Sequence, residues 1–153
     1  MERELHWATI EETQAFGRSL GALLRAGDLI VLTGDLGAGK TTLTQGIAEG
    51  LGVRGPITSP TFVIARVHPS LVGGPALVHV DAYRLGSALE LDDLDLDADL
   101  DDSVTIVEWG AGLAEQLSDQ RLEISLTGED VRTARLVGVG SRWDEVLTAV
   151  GIP

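Results

Sequence analysis

The sequence contains no cysteine and no asparagine. Without cysteine there is no disulfide, no thiolate metal site and no cysteine nucleophile. Basic residues are scarce: 11 Lys and Arg stand against 24 Asp and Glu, for a net charge of −13. Autonomous nucleic-acid binding depends on neutralising phosphates with a basic surface, so this balance argues against it. It leaves room for work on RNA within a complex, where a partner supplies that surface. No apolar run approaches the roughly 18–20 residues needed to span a bilayer. The N-terminus, MERELHWATIEET, is acidic and has no apolar h-region, so no secretory signal is expected. These absences together point to a cytoplasmic protein.

What is present is ordinary for a globular chain: 153 residues, 44% hydrophobic and 23% charged. One domain spanning 1–153 is the expectation. ATIEETQAFGRSLGALLRAGD reads as an amphipathic helix, with Thr9 and Glu12 spaced as a capping box. Ile10, Phe16, Leu20, Leu23 and Leu24 approximate one face of it. DLIVLTG is a short continuous apolar run, the pattern of a strand buried on both sides. KTTLTQGIAEGLG reads as a helix closed by Gly50 or Gly52. TFVIARV and ALVHVDAYR are strands around a hairpin turn in HPSLVGGP. SVTIVEWG is another buried strand, AGLAEQLSD a short helix, and RLEISLTG with TARLVGVG a strand pair. SRWDEVLTAV closes the chain as a helix. Alternating strands and helices predict an α/β fold with a mixed, mainly parallel sheet flanked by helices. The TFVIARV/ALVHVDA pair and the late strand pair are the candidates for antiparallel pairing.

Gly34, four residues, then Gly39-Lys40-Thr41 satisfies the P-loop pattern, with a buried strand before it and a helix after. Each part has a chemical reason. The glycines let the backbone of Asp35, Leu36, Gly37, Ala38 and Gly39 wrap so that its N–H groups face phosphate oxygens. The helix N-terminus adds positive dipole. Lys40 neutralises the β- and γ-phosphates, and the Thr41 hydroxyl ligates Mg²⁺. Such a site also needs an acid at the end of a neighbouring buried strand. Asp81 ends ALVHVD and Glu108 ends SVTIVE, so both are candidates. TSPTF, 58–62, lies where P-loop proteins often carry a hydroxyl that senses the γ-phosphate, though an ordinary turn would look the same.

Other constellations read as bland. The run DDLDLDADLDD fails as a calcium loop: counted from Asp93 it offers Ala98 where glycine is required and Val104 where the bidentate glutamate belongs. An acidic solvated face is the simpler reading. His6, His68 and His79 are too dispersed to suggest a metal site. Arg132 and Arg135 could supply phosphate contacts from a late loop, but surface charges are the simpler reading.

The missing asparagine removes the guanine-reading Asn-Lys-x-Asp motif, and with it a conventional GTPase. The transporter-ATPase signature Leu-Ser-Gly-Gly is absent too. A small-molecule kinase using the same loop stays open as the alternative, although no arginine-rich lid is visible. A binding module that hydrolyses nothing also stays open.

Four stretches together, GDLGAGKTT, TSPTF, HVDAYR and VEWG, in this order and spacing, resemble the TsaE (YjeE) family of bacterial ATPases. The similarity extends over nearly the whole chain, including EET in the first helix. The resemblance implies a role in threonylcarbamoyladenosine modification of tRNA, exerted with TsaB and TsaD and with tRNA engaged only through that complex. It implies feeble hydrolysis of Mg-ATP by the lone protein, which fits the lack of an obvious arginine finger. Carried onto this chain, it implies that Lys40 and Thr41 hold phosphates and Mg²⁺, with Thr42 beside them. It implies that Thr61 is the switch residue near the γ-phosphate. Asp81 and Glu108 would be the acids, Glu108 the stronger candidate for the metal. Trp109 would lie near the nucleotide or a partner surface. Tyr83 and Arg84 belong to the motif without separate roles. The Asp-rich stretch 90–102 departs from what the family leads one to expect.

Overall fold

A computed structural model describes residues 2–34, 39–53, 65–81, 102–108, 120–128 and 131–150, with the side chains of Ala65, Arg66 and Asp81 outside the description. Seven strands form one sheet: β1 (Glu2–Trp7), β2 (Leu29–Gly34), β3 (Ala65–His68), β4 (Ala76–Asp81), β5 (Ser103–Glu108), β6 (Arg121–Thr127) and β7 (Arg132–Val139). Their order is β1-β7-β6-β2-β5-β4-β3. The described helices are α1 (Ile10–Gly21), α2 (Lys40–Leu51) and α3 (Ser141–Ala149).

The sheet is mixed, as expected, but it is not mainly parallel. β6, β2, β5 and β4 pair in parallel, while β1–β7, β7–β6 and β4–β3 are antiparallel. The cause is local: β3–β4 and β6–β7 are hairpins, and a short connection allows only antiparallel pairing. The first hairpin turn is held by Ser70, whose Oγ accepts from Val72 N at 3.1 Å and Gly74 N at 2.9 Å. β1 was not expected. Its sequence, ERELHW, alternates exposed and half-buried positions down to buried Trp7, as suits a strand at the sheet margin.

The continuous apolar runs behave as their composition requires. On one sheet face Ile30, Leu32, Ile106, Leu122, Ile124 and Leu136 join Phe16 and Leu20 of α1, Leu43 and Ile47 of α2, and Trp143 and Leu147 of α3 in one core. On the other, Leu29, Val31, Val78, Val80 and Val107 are buried as well. Both faces of the central strands are therefore withdrawn from water, worth about 1.5–3 kcal/mol for each large side chain.

α1 starts as its capping residues dictate. Thr9 Oγ1 accepts from Glu12 N at 3.1 Å, and Glu12 reaches back to the Ala8 amide. Its buried side is Thr13, Phe16, Gly17, Leu20 and Gly21, whereas Ile10 is 64% exposed. The face is set by α2, not by apolar residues alone. Gly17 and Gly21 meet Gly46 and Gly50 so closely that a Cβ at Gly21 would lie 2.2 Å from the Ile47 carbonyl oxygen. One at Gly50 would lie 2.2 Å from that of Arg18. α2 ends at Gly52, whose left-handed conformation (φ 79°) lets its amide bond back to Ala48 and Glu49. Among the described residues no helix is long and apolar enough to cross a membrane.

Candidate active site

β2 and α2 are joined through the Gly34–Thr41 motif at the sheet edge where the parallel strands end. Gly39 caps α2 with φ 101°, a backbone that side chains rarely tolerate, and provides no side-chain cap. Where α1 carries Glu11 and Glu12 in its first turn and α3 carries Asp144, α2 has no acid there and begins with Lys40. A lysine at the positive end of a helix dipole is unfavourable by itself. The arrangement suits an anion that faces the dipole and the ammonium together. Lys40 is 7% exposed, and its Nζ donates to the Gly34 carbonyl at 2.5 Å. The side chain is thus folded back onto the end of β2. Thr41 and Thr42 are half-buried in the first turn, and Thr44 Oγ1 ties that turn down by donating to the Lys40 carbonyl at 2.8 Å.

The acids arrive on the next two strands. β5 lies beside β2 with Leu32 opposite Glu108, and β4 lies beside β5 with Asp81 opposite Glu108. Both candidates therefore end neighbouring parallel strands in the same register row. Glu108 is 2% exposed, and its Oε1 has no hydrogen-bond partner among the described residues. A buried carboxylate oxygen without a donor is costly, and a cation or positioned water relieves that cost. The donor set at this edge, a Thr hydroxyl and a carboxylate, fits Mg²⁺, which takes few protein ligands and completes its shell with phosphate and water oxygens. Among the described residues there is no cluster of three or more His, Asp or Glu that would form a self-sufficient cage.

Asp35, Leu36, Gly37, Ala38, Thr61, Tyr83, Arg84 and Trp109, with the acidic stretch up to Asp101 and the helix expected in AGLAEQLSD, lie outside the described residues. Lys40, Thr41, Thr42, Gly39 and Glu108 come together at one edge.

A model of the TsaE family, described as threonylcarbamoyl adenosine biosynthesis protein TsaE, matches residues 7–137. The chain belongs to the TsaE family. Within that family it is 60% identical to the tRNA threonylcarbamoyladenosine biosynthesis protein TsaE of Streptomyces coelicolor over 134 residues, covering 83% of this chain and 90% of the relative. It is 40% identical to the Bacillus subtilis TsaE over 147 residues, covering 93% and 90%. The fold is similar to the crystal structure of Bacillus subtilis YdiB, with a TM-score of 0.74 and 36% identity across 98% of this chain and 95% of that one.

Two residues outside the sequence expectation join this TsaE-family site. His79, fully buried, sits with Nε2 3.4 Å from Glu108 Oε2, in ion-pair range without hydrogen-bond alignment. Dispersal along the chain hid it. The available signal was its place two residues before Asp81 on a strand adjoining that of Glu108. Arg132, read as a surface charge, lies against Gly39: an ideal Cβ at 39 would be 3.7 Å from its Nε. Arg135 is a surface charge as expected, 2.7 Å from Glu2 and 60% exposed.

Proposed function

We propose that this protein is a P-loop ATPase, folded as P-loop NTPases are, that binds and slowly hydrolyses Mg-ATP. It acts in the cytoplasm in support of TsaB- and TsaD-like partners during threonylcarbamoyladenosine modification of tRNA. The observation that carries the reading is the conjunction at one sheet edge of Lys40, at an acid-free helix N-terminus, with buried, half-unpartnered Glu108. Family membership supplies the modification.

In this reading the Lys40 ammonium exchanges the Gly34 carbonyl for β- and γ-phosphate oxygens, and the loop and helix amides from Asp35 to Thr42 bind the rest of the phosphate chain. Thr41 and Glu108 hold the magnesium ion, with Asp81 as the second acid. When bound, the ion supplies positive charge that offsets the charge gathering on the transferred phosphoryl group. Glu108 and Asp81 also orient the attacking water. Thr61 closes its loop when the γ-phosphate is present, and Trp109 flanks the nucleotide or faces a partner. The high acidity of the chain, −13, leaves tRNA contact to those partners.

The test is a reconstituted modification reaction containing the partner proteins, tRNA and ATP, beside ATP turnover by the lone chain. The lone protein should hydrolyse ATP slowly and the partners should accelerate it. Lys40→Ala should bring turnover to background and stop repeated rounds of modification. Fast hydrolysis by the lone wild type, or full modification by the variant, would count against the proposal. Stoichiometric phosphorylation of a metabolite would favour a kinase instead.

A further inference from the structure

Arg132 opens β7 at the edge of the sheet that carries the Gly34–Thr41 motif. The register fixes this: Gly34 pairs with Leu126 of β6, and Leu126 pairs with Ala134 of β7, two residues beyond Arg132. On the outer side Arg132 stands opposite Trp7, which is buried. Its Nη1 donates to the Gly128 carbonyl, so one end of the guanidinium is fastened to the β6–β7 turn. Its Nε and Cδ lie 3.7 and 4.0 Å from where a Cβ on Gly39 would be. The arm thus rests against the residue that caps the N-terminus of α2.

A guanidinium carries five N–H donors in a planar fork. The same planar fork matches phosphate oxygens. Position then separates two roles. β2 lies between β5 and β6 in the sheet. Glu108 lies on the β5 side of β2, and Arg132 lies on the β6 side. A phosphate chain at the N-terminus of α2 would meet the acid and its magnesium at one end and Arg132 at the other.

We propose that Arg132 is a nucleotide-binding residue, a cation supplied by this chain that contacts the phosphate chain on the side away from Glu108, the α- and β-phosphates. This rests on the Mg-ATP reading above. It sets Arg132 apart from an arginine finger, which acts on the γ-phosphate. ATP and ADP should therefore depend on it equally.

Calorimetric titration of Mg-ATP, Mg-ADP and inorganic tripolyphosphate into the full-length protein tests this. The proteins compared are wild type, Arg132→Gln, Arg132→Lys and Arg135→Gln, each checked for folding by thermal melting. Arg132→Gln should weaken all three ligands by a similar factor, roughly 10–100-fold, the usual range for a lost charge-assisted contact. Arg132→Lys should fall between it and wild type, and Arg135→Gln should bind like wild type. Unchanged affinity in folded Arg132→Gln overturns the inference and leaves the ATPase reading standing. Loss for ATP alone overturns it in favour of a γ-phosphate finger. Loss for the nucleotides with tripolyphosphate untouched overturns it in favour of base contact. If Arg132→Gln does not fold, wild-type affinity for ATP and ADP in Arg132→Lys overturns it. Absence of any nucleotide binding by wild type defeats the ATPase reading itself.

Discussion

Glu108 is a single side chain whose proposed role would come at the expense of stability. A buried carboxylate with one oxygen lacking a donor weakens the fold until a cation joins it. Glu108→Gln should therefore melt no lower than wild type in metal-free buffer, and a gain of about 1 kcal/mol is reasonable where a strained functional group is removed. The same change should cut magnesium-dependent turnover roughly a hundredfold, the effect of losing a few kcal/mol of charge stabilisation. A variant clearly less stable than wild type without metal would mean that the carboxylate is well partnered. Lys40 and Glu108 were legible in the sequence because each ends or begins an element with a recognisable pattern. Arg132 could be named as a possible phosphate contact but not told from a surface charge such as Arg135, because its place beside Gly39 follows from strand order, which no local pattern records. His79 escaped for a related reason: its neighbour is on another strand, and the parallel register alone brings them together.

At the scale of elements, the position of α2 depends on four glycines. Gly17, Gly21, Gly46 and Gly50 let α1 and α2 touch backbone to backbone. Gly21→Ala or Gly50→Ala has to push the helices apart, with an expected loss of about 1–3 kcal/mol on chemical denaturation. Because α2 begins with Lys40, the KM for ATP should rise in the same variants. Gly74→Ala is the control: its Cβ would meet only Ser70 Oγ at an ordinary 3.7 Å, and its melting should be unchanged within about 0.5 kcal/mol. The existence of the described helices and of six of the strands was readable from apolar periodicity, caps and turn residues. β1 was not, since ERELHW is mostly charged and becomes a strand only because β7 offers an edge. The parallel-to-antiparallel ratio was overestimated because both hairpins were read as exceptions to an alternating pattern, when they account for two of the three antiparallel pairings.

Across the whole molecule, side-chain contacts fasten α3, late in the chain, to the segment that leads into β2. Arg142 at the start of α3 grips Asp28 just before β2, with Nη2–Oδ2 at 2.9 Å and Nε–Oδ1 at 3.2 Å, and donates to the Leu23 carbonyl at 2.7 Å. Asp28 is buried and also accepts from the Arg25 amide. Arg142→Leu strands that carboxylate, and a loss of about 3 kcal/mol is expected by urea unfolding. The site lies at the opposite end of β2, so nucleotide affinity measured well below the melting temperature should be retained. A larger loss of affinity than of stability would show that α3 reaches the site.

Lys40 is the only lysine in the 153 residues, and it is the ammonium folded back on the Gly34 carbonyl. Protein labelled with isotope at lysine alone therefore gives one side-chain signal, with no assignment needed. Movement of that signal when nucleotide is added reports the exchange of carbonyl for phosphate directly, in the lone chain or within a large complex. Amine-directed chemistry has the same focus: apart from the N-terminus, its target is the residue on which the proposed activity depends.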